Sequence, residues 1–196
     1  MSKKYLIIIV VAVILLVYAY VSRTGPSERI LEDVFVENDN YSLSFNYVAG
    51  EDGYELIQSS TQDDFLQSYV MVGKNELLAY QENEADTAPP TMSIFIFHLP
   101  DEEVAEGEEV GRVTRLQNWA QSNSGITSYE QIYGTPKIVE IDGVKALEYS
   151  TDGIYQQSIF LASYRGYIYM FVGQYDRPTD SIKSDFVNLM QSVRFE

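Results

Sequence analysis

The residue types that usually carry chemistry are scarce in this chain. There is one histidine, His98, and no cysteine. A Ser-His-Asp triad would have to use His98 as its base. It lies near the end of the apolar run Met92–Leu99, beside Leu99-Pro100, and no Gly-x-Ser-x-Gly elbow occurs. A structural role is the favoured reading. Zinc takes several nitrogen or sulfur ligands, and one imidazole with no thiolate does not supply them. Asp101, Glu102, Glu103, Glu106, Glu108 and Glu109 could offer oxygen ligands to calcium. Their spacing does not follow the Asp-x-Asp-x-Asp-Gly loop with its distal glutamate, so a solvated acidic loop is favoured. Asp101, Glu102, Glu103 and Glu106 stay as weak metal candidates. A carboxylate pair for glycoside hydrolysis cannot be picked from 29 acids by sequence. Lys74, Arg112 and Arg115 are too sparse for a phosphate site, and no glycine-rich phosphate loop or other cofactor motif is present.

The sixteen tyrosines are the other unusual supply. Tyr149, Tyr155, Tyr164, Tyr167, Tyr169 and Tyr175 cluster in the last third of the chain. A ring with a polar tip suits a ligand or peptide groove. The competing reading is that tyrosine is simply a good strand residue.

The elements that must position these residues follow from periodicity. Tyr41, Leu43, Phe45 and Tyr47 alternate with Ser42, Ser44 and Asn46, the pattern of a half-buried strand. Tyr54–Gln58 and Phe65–Val72 are further strand-like runs, the second with a helical alternative. Lys74-Asn75 is a possible turn into Glu76–Tyr80. Met92–Leu99 is apolar on both faces and predicts a central strand covered on both sides. Val110, Val113, Leu116 or Gln117, and Trp119-Ala120 recur at helical spacing after the acidic stretch, whose charges suit a helix N-terminus. Lys137–Ile141, Val144–Ser150, Ile154–Tyr164 and Tyr167–Tyr175 then read as a meander broken at Asp142-Gly143, Thr151-Asp152-Gly153 and Arg165-Gly166. The two Asp-Gly pairs predict tight turns with Gly143 and Gly153 at positive φ. A helix with Ile182, Phe186, Leu189 or Met190, and Val193 on one stripe follows, and Arg194-Phe195-Glu196 could add a last short strand. Strands, helix, meander, helix: the class is α+β, an antiparallel sheet with helices packed on it.

The N-terminus places the domain. Lys3 and Lys4 precede Tyr5–Val21, an uncharged apolar run of 17 residues. As a helix it would span roughly 26 Å, a little less than a hydrocarbon core of about 30 Å. A cleaved signal is the rival reading, with Val17-Tyr18-Ala19 as a tolerable site, but the run is long for one. The sequence therefore predicts an anchor over residues 1–23, one transmembrane helix, with a stalk over 24–37 and an α+β domain over 38–196. Leu31, Val34, Phe35 and Val36 within the stalk could form a short helix or strand against the domain. The basic N-terminus stays cytoplasmic and the domain lies outside the cell membrane. Residues 25–196 hold 10 basic and 29 acidic residues, a net charge of −19. Nucleic acid is a poor partner for such a surface.

From residue 40 onward the chain resembles the PsbP-like family. Tyr41-Ser42-Leu43-Ser44-Phe45-Asn46-Tyr47 matches the family's Tyr-x-Leu/Ile-x-Phe-x-Tyr-Pro opening strand, with Val48 in place of the proline. Ile141-Asp142-Gly143-Val144-Lys145-Ala146 matches its glycine-centred hairpin, and Ser192-Val193-Arg194-Phe195 its Ser-x-x-Phe ending. These motifs are structural. The resemblance implies an α-β-α sandwich around an antiparallel sheet and little about activity. Members include extrinsic photosystem subunits and protein-binding modules, and many bacterial relatives are anchored. No functional residue of the family maps onto this chain. The expected function is a membrane-anchored, extracytoplasmic, non-enzymatic interaction or assembly module that binds the bilayer through residues 5–21 and, through its domain, another protein. The alternatives are an extracytoplasmic hydrolase with a hidden site and a calcium-dependent binding domain.

Overall fold

A computed structural model describes residues 31–62, 65–82, 85–99 and 109–196. The expected anchor, the start of the stalk, and Asp101, Glu102, Glu103 and Glu106 lie outside the described residues. No described helix is long and apolar enough to cross a membrane.

Two antiparallel sheets build the domain. The larger has seven strands: β3 (Tyr54–Gln62), β4 (Phe65–Gly73), β5 (Thr91–His98), β6 (Ile132–Ile141), β7 (Val144–Thr151), β8 (Gln156–Tyr164) and β9 (Tyr167–Tyr175), in the order β3-β4-β5-β9-β8-β7-β6. The smaller has the order β1-β2-β10, from β1 (Leu31–Asn38), β2 (Leu43–Gly50) and β10 (Arg194–Phe195). Residues 31–37, the end of the expected stalk, thus form β1. Val34 and Val36 are half-buried because β1 pairs with β2 along its whole length.

The helices are α1 (Lys74–Gln81), α2 (Glu109–Ser122), α3 (Ser124–Thr127) and α4 (Ser181–Ser192). Phe65–Gly73 is strand rather than helix because it has partners on both sides, β3 and β5. Lys74-Asn75 does not turn but opens α1 directly.

The sheet is covered on both faces, which is why β9 is almost wholly apolar. On one face Tyr169, Phe171 and Tyr175 pack with Met71, Ile94 and Ala162 beneath α4 and the small sheet. Ile182, Phe186 and Leu189 of α4 supply that layer, at the spacing of one helical stripe. On the other face Ile168, Met170, Leu161 and Leu147 pack under Val113, Leu116 and Ala120 of α2. The result is the three-layered arrangement expected from the sequence.

Two hairpins are two-residue turns with positive φ at both positions: Asp142 (47°) with Gly143 (77°), and Arg165 (45°) with Gly166 (83°). This is the type I′ signature, whose twist matches the flanking strands. The third differs from expectation. Asp152, Gly153, Ile154 and Tyr155 all lie between β7 and β8, and Gly153 is outside the left-handed region. A four-residue loop reverses the chain without two adjacent positive φ values.

Candidate functional site

The α4 layer does not reach the β6 end of the large sheet. Along that margin α4 and the strands enclose an open cleft of about 580 Å³. Strand alternation puts every second residue in its floor: Val139 and Ile141 from β6, Glu148 and Ser150 from β7, Ser158 and Phe160 from β8. The wall is a second stripe of α4, Lys183, Val187 and Met190 with Gln191, beside the stripe that enters the core. Arg194 closes one end, and Tyr133 lines the cleft from the start of β6.

The polar groups here are largely committed. Lys145 Nζ lies 3.0 Å from Glu140 Oε2 and Arg194 Nε 3.8 Å from Asp142 Oδ1, while Asp142 Oδ2 accepts the Phe195 N–H at 2.8 Å. Lys183 Nζ sits 4.6 Å above the Tyr175 ring, a cation–π contact. The Tyr175 hydroxyl and Ser158 Oγ share a hydrogen bond of 3.1 Å. Glu148 has no ion pair among the described residues. Ser158 is thus bonded to a phenol, and no histidine lines the cleft. The arrangement is suited to recognition: apolar side chains alternate with polar ones across the floor and wall, and Glu140, Asp142 and Glu148 supply acids.

The cleft runs into a free strand edge. Among the described residues β6 pairs only with β7. Its first half is irregular between Tyr133 and Lys137, with Gly134 at φ 80° and Pro136 within it. A bulge and a proline are the usual devices that blunt an edge. From Lys137 to Ile141 the strand is regular, and Ile138 is 63% exposed.

The six tyrosines singled out by sequence do not converge. Tyr175 lines the cleft. Tyr149 is buried beneath α2 on the opposite face and donates to the Thr127 carbonyl at 2.9 Å. Tyr169 is buried under the small sheet and donates to the Tyr41 carbonyl. Desolvation by burial pushes both hydroxyls well above the ordinary value for tyrosine. Tyr164 and Tyr167 are half-buried near Tyr169, against Phe195 and Tyr41 respectively. Tyr155 stands in the β7–β8 loop and donates to the Ala88 carbonyl at 2.7 Å. His98 is exposed at the end of β5, opposite Tyr167. Among the described residues no three His, Asp or Glu side chains are grouped to hold a metal ion.

Fold and cleft together define an antiparallel α-β-α sandwich with one uncovered sheet margin. That architecture is PsbP-like. The solution structure of cyanobacterial PsbP from Synechocystis sp. PCC 6803 superposes with a TM-score of 0.53 over 88% of this chain and 96% of that one, at 11% identity. At such low identity the similarity establishes the fold. A protein from Bacteroides thetaiotaomicron VPI-5482 matches more loosely, with a TM-score of 0.43 at 8% identity over 79% of this chain and 45% of that one. No family model matches the chain, and no curated protein matches it in sequence.

Proposed function

We propose that the domain is a non-enzymatic accessory or assembly module that takes an extended, basic segment of a partner protein along the β6 edge and the adjoining cleft. The supporting observation is the regular edge of Lys137–Ile141, which has no second partner strand among the described residues, beside a cleft of mixed apolar and polar lining with Glu148 in its floor and Glu140 and Asp142 at its margin. An added strand would gain backbone hydrogen bonds from the edge, and its alternate side chains would drop into the cleft. The net charge of −19 over residues 25–196 favours a basic segment and speeds its encounter. The apolar run of residues 5–21 would hold the module on the outer side of the cell membrane.

A photo-cross-linking residue at Val187, beside the cleft, tests this in the native membrane. The expected result is one dominant adduct, absent when the cross-linker replaces Ile57 on β3 and lost when Ile138→Lys is added to block the edge. Equal adducts at both positions, or adducts indifferent to Ile138→Lys, would overturn the proposal.

A further inference from the structure

The second cavity of interest lies on the opposite face of the large sheet from the cleft. Arg112 and Arg115 of α2 are three residues apart, so they leave the helix as neighbours. They meet the β8–β9 hairpin, and Ser163 and Gly166 with Leu99 and Leu116 complete a cavity of about 420 Å³. That is within the usual range for small-molecule sites. The cavity also touches Tyr164 and Arg165, and no carboxylate lines it among the described residues. In a domain with 29 acids against 10 bases the described lining is locally basic.

The Arg115 Nη2 atom is buried and has no hydrogen-bond partner among the described residues. A guanidinium nitrogen withdrawn from water without an acceptor is costly, so this position strongly favours an anionic acceptor. Arg165 does not compete for the same ligand. Its guanidinium turns away to Ser42 Oγ at 3.0 Å and to the Glu196 carbonyl, and it stacks on Tyr164. The buried Ser163 hydroxyl lies at the cavity wall as a further donor.

We propose that this cavity is an oxyanion site, in which Arg115 takes the carboxylate or phosphate group of a small ligand through its planar fork and Arg112 adds the second positive charge. The site is independent of the cleft beside α4.

Calorimetric titration of the full chain with succinate, inorganic phosphate and chloride, at matched ionic strength, tests it. Saturable one-site binding of succinate or phosphate, and none of chloride, is expected, and the tighter of the two assigns the group as carboxylate or phosphate. Arg115→Gln should weaken binding about tenfold or more, and Arg112→Gln less. Arg115→Lys keeps the charge but loses the fork, so an intermediate loss is expected, and this variant decides the matter if Arg115→Gln does not fold. Arg165→Gln should leave affinity unchanged. Heats that match chloride, or affinity retained in both Arg115 variants, would overturn the proposal. So would binding that emerges only when Asp101, Glu102, Glu103 and Glu106 are all neutralised, since the acceptor would then be a carboxylate of the chain itself.

Discussion

Gly173 gives the sharpest test of how α4 is seated beside the cleft. It lies in β9 opposite Met92 of β5 and Ser158 of β8, on the side facing α4. A Cβ at this position would stand 2.4 Å from Phe186 Cδ1 and 2.5 Å from Cγ. Carbon atoms settle at about 3.5–4.0 Å, so Gly173→Ala requires the ring to retreat by more than about 1 Å. Phe186 is only 2% exposed and packs on Phe160 at a centroid distance of 5.9 Å, so it cannot swing into solvent. Overpacking of this kind costs about 1–3 kcal/mol. Restricting the unfolded chain by Gly→Ala returns about 0.4–1 kcal/mol. The expected net loss is about 1–2 kcal/mol, or roughly 2–8 °C in Tm for a domain of this size. Phe186→Leu alone should also destabilise, by removing buried ring area. The double variant should be less destabilised than the sum of the two, with a coupling of at least about 0.5 kcal/mol, because the smaller side chain makes room for the new methyl. Urea and thermal melts followed by circular dichroism read all three. A Gly173→Ala chain that melts at or above wild type, or strict additivity in the cycle, would refute the close seating of α4 on β9.

Other outcomes follow from the same geometry. Gly143→Val should cost on the order of 1–2 kcal/mol in a denaturant melt, because Gly143 sits at φ 77°, whereas Gly153→Val should cost distinctly less. Tyr149 and Tyr169 keep their protons in the fold above their ordinary pKa of 10.0, while the unfolded chain releases them. Their stabilising contribution is therefore complete below about pH 10 and is lost as pH rises toward the folded values, at up to about 1.4 kcal/mol per pH unit for each. Urea melts at about pH 9 and about pH 11 should show this fall, and Tyr149→Phe should reduce it. If residues 101–109 are only a solvated acidic stretch, calcium and sodium at matched ionic strength should shift Tm equally. A calcium-only shift abolished by Asp101→Asn with Glu103→Gln would instead indicate a specific site. Protease added to intact cells should digest the domain and spare the N-terminus, and protection of the domain would exclude the proposed topology.

The strands were legible where both faces and a turn spoke together. Met92, Ile94 and Ile96 against Ser93, Phe95 and Phe97 marks a strand buried on two sides, and β5 is central. Asp142-Gly143 and Arg165-Gly166 each allow one short turn, and both form it. The β7–β8 link was less legible, because Asp152-Gly153 has the composition of a two-residue turn but belongs to a longer loop. That error matters for the tyrosines. A two-residue turn fixes the register across β8 and β9, so Tyr164 and Tyr167 are known to oppose each other. Across the longer loop the parity of β7 is undetermined, and a one-residue slip moves a side chain to the other face. Tyr149 therefore could not be assigned to the α2 side by sequence, and the six rings looked like one cluster. The pairing of Arg112 and Arg115 with the β8–β9 hairpin was also hidden. Nothing local relates α2 to a turn some 50 residues later, and sparse spacing along the chain hid closeness in space.

The cleft itself follows from layer widths. Seven strands at about 4.8 Å spacing measure about 29 Å between the outermost strands. A helix with its side chains is about 10–12 Å across, and three strands span about 10 Å between the outer two. On the α4 face the helix lies against β2, β5 and β9, side by side with the small sheet. Together they cover roughly 20–22 Å, so one margin of the large sheet must stay open on that face. The opening falls at β6 because Gly173 draws Phe186, and with it α4, down onto β9 rather than outward over β7. A further helix on that face would be needed to close it. The described residues leave that margin with apolar side chains beneath, acids around it and a regular strand edge beside it. A segment from another chain that adds a strand there would satisfy both the edge and the uncovered floor at once.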